Sequence, residues 1–191
     1  MADKSKKAKK SKGKKAITPP PADAIESIEE FLAHSVALEN EMAERYDELA
    51  DSLEVHNNPE TAVLFRKLAG FGHKHAEEMK AHAAGKELPR IAPWDFKWGG
   101  GASPEAASLD GMHYMMTPYH ALELARDAEA AAQEFYTQVA EGTSNNKVRK
   151  LATEFAAEEG EHVELVDEWI GKLPEPEEGW DEDPDPPNMP E

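Results

Sequence analysis

An apolar stripe near the amino end of the chain, interrupted by one glutamate, constrains the fold most strongly. Between residues 22 and 56 the stripe advances in alternating steps of three and four residues, which is the spacing of one helix face. Its members are Ile25, Ile28, Leu32, Ser35, Glu39, Met42, Tyr46, Leu49 and Leu53. The pattern predicts an amphipathic helix that turns a carboxylate toward its own core at mid-length.

Three further segments have the same helical spacing: 59–84, 118–141 and 145–171. Each predicted buried face again carries a potential metal ligand near its middle: His75, then Glu129, then the pair Glu159 and His162. The first and last connections are short, which favours antiparallel neighbours, whereas the connection between the second and third segments is long. We therefore predict an all-α, ferritin-like four-helix bundle with one long crossover between helices 2 and 3.

The two halves of the chain resemble each other. The stretch "LENEMAERYDELAD" (38–51) aligns with "AEAAAQEFYTQVAE" (128–141), so that Glu39 pairs with Glu129 and Tyr46 with Tyr136. The helices that follow pair His75 with His162. The bundle is thus predicted to be a duplicated helical hairpin.

Buried carboxylates at one level of a bundle are costly and repel one another unless a positive charge lies between them. Divalent iron or manganese fits this requirement, because carboxylate oxygen and imidazole nitrogen suit these ions. Glu159 and His162 are one helical turn apart and face the same way, as two ligands of one ion must. The alternative is that the five polar side chains satisfy one another without metal.

Four stretches carry a resemblance to a known family: "ALENEMAERYDELAD", "LFRKLAGFGHKHAEEM", "TPYHALELARDAEAAAQEFY" and "LATEFAAEEGEHVEL". Together they resemble the rubrerythrin branch of the ferritin-like di-iron carboxylate family over roughly residues 22–171. The resemblance implies a non-haem di-iron centre that reacts with peroxide or dioxygen, and chains that associate as homo-oligomers. It assigns Glu39 and His75 to one metal, Glu129 and His162 to the other, and Glu159 to both.

The sequence departs from that family at one position. Gly72 stands three residues before His75, where the family pattern has a glutamate that bridges both metals. Water, or Glu78 one turn beyond His75, could take the place of the missing ligand. Tyr46 and Tyr136 lie two turns from the glutamates, where they could hydrogen-bond to ligands or simply pack in the core.

The chain has no cysteine, which excludes disulfides, thiol catalysis and the rubredoxin centre that rubrerythrins proper carry. Reducing equivalents for any redox turnover would therefore come from an external electron donor. No apolar segment follows the charged amino terminus, and no long apolar run occurs elsewhere. We expect a soluble, cytoplasmic protein without a membrane partner.

Charge is distributed unevenly over the 191 residues. The net charge is −18, yet the first fifteen residues contain eight lysines, Lys4 to Lys15. Residues 1–20 and the acidic, proline-rich residues 173–191 are predicted to be disordered tails around a helical domain at 21–172. The lysine arm could bind a polyanion non-specifically, dock on an acidic partner, or remain solvated.

The sequence thus favours a rubrerythrin-like protein with di-iron redox activity towards peroxide or dioxygen. One alternative is ferritin-like Fe(II) oxidation and iron handling without peroxidase turnover. A second is an interaction protein with a vestigial metal site that acts through its charged tails.

Overall fold

The computed structural model describes residues 24–98, 103–104 and 112–182. These residues form four long helices and one short 3-10 turn, and they contain no β-strand. The long helices are α1 (Ile28–Val55), α2 (Pro59–His82), α3 (Pro118–Gly142) and α4 (Asn146–Ile170). None of them combines the length and apolar composition needed to cross a bilayer.

The helices pack as two antiparallel hairpins, α1 with α2 and α3 with α4. The hairpins meet through contacts of α2 with α3 and of α1 with α4. A long crossover joins them and contains the 3-10 turn Pro93–Asp95. The predicted four-helix bundle with its crossover between helices 2 and 3 is therefore confirmed.

Local capping explains where the helices begin. Pro59 and Pro118 occupy the first helical turn, as predicted, where a missing N–H costs nothing. Helix α1 begins six residues later than the predicted position 22, because the Ser27 side chain accepts a hydrogen bond from the Glu30 N–H at 3.0 Å. Ser27 with Glu30 three residues on is a capping signature.

The core consists of two apolar clusters. One contains Phe31, Leu38, Phe135, Tyr136 and Phe155 among others. The second contains Met42, Tyr46, Leu49, Phe65 and Leu68 among others. Along α1 the two clusters are separated at Glu39, so that the middle of the bundle is a polar layer between apolar ones.

His34 fastens the crossover to the bundle. Its buried ring lies 2.8 Å from the Glu30 carbonyl through Nδ1 and accepts the Lys97 main-chain N–H through Nε2 at 3.0 Å. Phe96 and Trp98 stack on each other at 4.1 Å and both meet the His34 ring edge-on. The crossover aromatics thus pack on the bundle, except for Trp94, which is exposed.

The His34→Ala variant is expected to lower the free energy of unfolding by about 2–4 kcal/mol at neutral pH, since it removes a buried ring and leaves the Lys97 N–H unpaired. Burial lowers the pKa of His34, so the folded state binds this proton less well than the unfolded chain. The stability that His34 contributes is therefore lost as the pH falls below about 6.5. Urea unfolding at neutral and acidic pH checks both effects, with exposed His73→Ala as a control.

Residues 173–182 belong to the segment that was predicted to be a disordered tail, but they are part of the described structure. The Trp180 ring stacks on His120 with centroids 3.6 Å apart and meets His113 at 5.7 Å. Trp180 packs here because its large ring buries apolar area against the second cluster. Residues 1–23 and 183–191, with Lys4 to Lys15 and the rest of the acidic tail, lie outside the described residues.

Candidate metal centre

The polar layer of the bundle contains the five side chains that the sequence predicted as ligands. Glu39 and Glu129 come from the first helix of each hairpin, His75 from α2, and Glu159 and His162 from α4. Each lies on the stripe that the helix turns toward the core. The α-helical period of 3.6 residues is what places Glu159 and His162 on one face.

Three of these residues converge closely. One ligand atom from each of Glu129, Glu159 and His162 lies within 4.8 Å of the other two. The His162 Nδ1 lies 2.8 Å from the Glu159 Oε2 and 3.3 Å from the Glu129 Oε2. Two carboxylates and one imidazole nitrogen thus face a common point, which is the arrangement a divalent cation requires.

The remaining pair, Glu39 and His75, is looser. The His75 Nδ1 lies 3.6 Å from the Glu39 Oε2, beyond hydrogen-bond length. That oxygen is buried and accepts no hydrogen bond from any described residue. A buried carboxylate oxygen without a hydrogen bond is costly. A cation bound beside the Glu39 Oε2 would balance the negative charge of this carboxylate.

The two histidines stack face to face, with ring centroids 4.7 Å apart and planes inclined by 8°. The stack joins α2 to α4 on one side of the polar layer. The His75 side chain is 21% exposed and that of His162 is 29% exposed, whereas Glu39 and Glu159 are buried. The centre is therefore open to solvent on its histidine side and closed on its carboxylate side.

Protonation of the cluster follows from this geometry. Hydrogen bonds to Glu129 and Glu159 raise the pKa of His162 to about 10. Burial, reinforced by the charges of Glu39 and Glu129, raises the pKa of Glu159 well above its usual range although His162 opposes the shift. Burial likewise raises the pKa of Glu39. The metal-free cluster therefore holds protons that a bound cation must displace.

Gly72 packs closely against α1. A Cβ atom at this position would lie 3.0 Å from the Met42 Cε, 3.1 Å from the Ala43 Cβ and 3.2 Å from the Glu39 carbonyl oxygen. These distances are shorter than ordinary van der Waals contacts. A side chain at position 72 would thus crowd Met42, Ala43 and the main chain of Glu39.

Gly70→Ala and Gly72→Ala form a matched pair that tests this packing. Both glycines lie in the interior of α2, but a Cβ at Gly70 would meet nothing within 4 Å. Gly70→Ala is expected to stabilise the protein by about 0.5–1 kcal/mol through helix propensity. Gly72→Ala should be less stable than Gly70→Ala by about 1–3 kcal/mol because of overpacking. Equal gains in chemical denaturation would show that the α1–α2 contact is not tight at Gly72.

The chain was compared with known proteins. No protein-family model and no curated protein matches it. A crystal structure of an uncharacterized conserved protein from Magnetospirillum magnetotacticum MS-1 matches with 46% sequence identity and a TM-score of 0.58. The match covers 79% of this chain and 98% of that one. The chain belongs to the family of that conserved protein.

In this member of the family, Glu78 lies outside the ligand cluster, and the two predicted tyrosines are buried in the core. Glu78 is largely exposed and forms an ion pair with Lys74 at 3.2 Å, so it does not replace the ligand missing at Gly72. Tyr46 packs on Phe65 in one apolar cluster, and Tyr136 lies in the other. A hydrogen bond from either tyrosine to a ligand stays a prediction.

Sequence reasoning missed two contributors to this region. His34 gave no periodic signal, because its partner Lys97 lies in the crossover. The sequence identified Met42 only as a member of the apolar stripe, but its methyl group lies beside Gly72. The alignment of the two halves could have revealed the role of Met42, since Met42 aligns with the much smaller Ala132.

Proposed function

We propose that this protein binds non-haem iron between its two hairpins, in a rubrerythrin-like centre with redox activity towards peroxide or dioxygen. The observation that supports this most strongly is the convergence of Glu129, Glu159 and His162 in the middle of the bundle. Glu39 and His75 face the same layer and would hold a second ion, with Glu159 shared between the two. Bound iron would supply Lewis acidity and exchange electrons with the oxidant.

The donor set favours iron or manganese over other ions. It contains three carboxylates and two imidazoles and no thiolate, since the chain has no cysteine. Soft ions prefer sulfur ligands, whereas carboxylate and imidazole together suit divalent iron and manganese. Of these two ions, the proposed reaction with peroxide favours iron, and manganese is the second choice.

The side chains would each have a distinct part in such a centre. The buried carboxylates hold the cation and exclude water from one side, while the exposed histidine edge leaves a path for a small oxidant. His162, protonated in the metal-free protein, gives up its Nδ1 proton when that nitrogen becomes a ligand. Electrons for repeated turnover come from a separate donor protein or small reductant.

Iron uptake and oxidation without peroxidase turnover is the second candidate function. The partial exposure of His75 and His162 favours it, because ions enter and leave an open site more readily than an enclosed one. In this case iron is the substrate of the protein rather than its resident cofactor. An interaction protein with a vestigial site is the third candidate, and it requires that iron is not retained.

Anaerobic loading with Fe(II), removal of free metal and addition of peroxide distinguish these functions. A rubrerythrin-like enzyme should consume more peroxide than its bound iron can reduce when a reductant is supplied. An iron-handling protein should consume only the stoichiometric amount. Glu129→Gln should abolish both reactions, whereas Glu134→Gln, one turn and a half further along α3, should leave them unchanged. Failure of the wild-type protein to retain iron would refute both metal-dependent functions.

A further inference from the structure

The two hairpins contribute unequally to the polar layer. Glu39 aligns with Glu129, and His75 aligns with His162, so each hairpin supplies one glutamate and one histidine. The residue three positions before each histidine differs: it is Glu159 in α4 and Gly72 in α2. One half of the centre therefore has a carboxylate that the other half lacks.

The two hairpins also differ in the residue that packs near this position. Met42 in α1 fills the space beside Gly72, whereas its counterpart in α3 is the small residue Ala132. Both residues are buried. The first hairpin thus combines a large residue with glycine at the two positions where the second has alanine and glutamate. The first hairpin therefore has apolar packing where the second has a proposed ligand. Gly72 has no side chain that could take the place of that ligand.

The distances have the same asymmetry. In the second hairpin His162 lies 2.8 Å and 3.3 Å from two carboxylate oxygens, and three donors converge. In the first hairpin His75 lies 3.6 Å from a single carboxylate oxygen, the buried Glu39 Oε2 that accepts no hydrogen bond from a described residue. Glu78, one turn beyond His75 on α2, pairs with Lys74 at 3.2 Å.

We propose that the centre has two positions of unequal affinity: a resident ion held by Glu129, Glu159 and His162, and an exchangeable ion held by Glu39 and His75. This proposal rests on the proposed metal-binding function and adds a division of labour within it. Glu159 is the carboxylate that the exchangeable position would share with its neighbour. With fewer protein ligands, that position would be the one to take up incoming Fe(II) or the oxidant.

Titration of the metal-free protein with Co(II) tests the proposal without any turnover. Isothermal calorimetry and the visible spectrum of bound Co(II) should both resolve two classes of site, with the second weaker by about 10- to 100-fold, the usual cost of a lost ligand or support. Two sites of equal affinity would overturn the proposal while leaving the proposed function intact. No binding at all would instead refute the proposed function.

Single variants assign each position. Glu39→Gln should remove the weak class and leave the tight class within about threefold of the wild-type affinity, whereas Glu129→Gln should remove the tight class. Loss of the tight class in Glu39→Gln would overturn the assignment. Circular dichroism confirms that each variant is folded before it is titrated.

A double variant tests the cause of the inequality. Met42→Ala with Gly72→Glu gives the first hairpin the residues of the second at these two positions, and it removes the nearest of the three atoms that a Cβ at position 72 would meet. The weak site should tighten by about 10- to 100-fold. Gly72→Glu alone provides the matched control, because Met42 still fills the space and the variant should be less stable. A folded double variant that keeps a weak second site would show that Gly72 does not set the affinity.

Discussion

Glu159→Gln is expected to abolish tight metal binding and, in the same variant, to raise the stability of the metal-free protein. The Glu159 carboxylate is buried beside two other glutamates, and its pKa is raised because burial and their charges disfavour its ionised form. Glutamine keeps the shape but cannot ionise. Relief of this repulsion should raise the free energy of unfolding by about 1–2 kcal/mol.

Thermal unfolding with and without Co(II) measures both effects in one experiment. Wild-type protein should gain stability on adding metal, since a ligand that binds only the folded state stabilises it. Glu159→Gln should unfold at a higher temperature than the wild type without metal, and adding Co(II) should stabilise it little. Glu161→Gln, an exposed glutamate two residues along α4, should behave as the wild type does. A destabilised metal-free Glu159→Gln would mean that the carboxylate is already balanced without a cation.

The apparent metal affinity should increase steadily with pH across the neutral range. Hydrogen bonds to Glu129 and Glu159 raise the pKa of His162 to about 10, so its proton must be released when Nδ1 becomes a ligand. Each proton released makes the affinity rise about tenfold per pH unit while the group is still protonated in the metal-free protein.

This dependence separates the proposed cluster from an ordinary surface site. A histidine with an unshifted pKa of about 6.5 would give an affinity that stops increasing near neutrality. Here the increase should continue from about pH 6 to about pH 8.5, well below the pKa of His162. Calorimetry of Co(II) binding in buffers with different ionisation enthalpies counts the protons directly. An affinity that is constant above neutral pH would contradict the protonation state derived for His162.

The sequence predicted the bundle, and it predicted which polar side chains face its middle layer, because both depend on local spacing. Glu39 and Glu129 were recognisable as candidates since each interrupts an apolar stripe whose period already fixed its direction. The start of α1 was predicted too early, because the stripe continues through Ile25 although Ser27 caps the helix. A stripe reports which residues are buried, not where helical hydrogen bonding begins.

Other features depend on how far apart the helices lie, which no periodic pattern encodes. Gly72 was identified as a missing ligand, but only the α1–α2 distance shows that Met42 occupies its space. His34 binds Lys97 across 63 residues of sequence, so its role had no local signature. Trp180 was predicted to lie in a disordered tail because the neighbouring residues are acidic and proline-rich, yet its ring packs on His120.

Anomalous X-ray diffraction from crystals grown with Fe(II) under anaerobic conditions tests the central claim most directly. The account predicts an iron peak between Glu129, Glu159 and His162, with a weaker peak beside Glu39 and His75. Data collected above and below the iron absorption edge identify the element. Crystals that contain iron elsewhere but none among these five side chains would contradict the assignment of this layer as a metal centre.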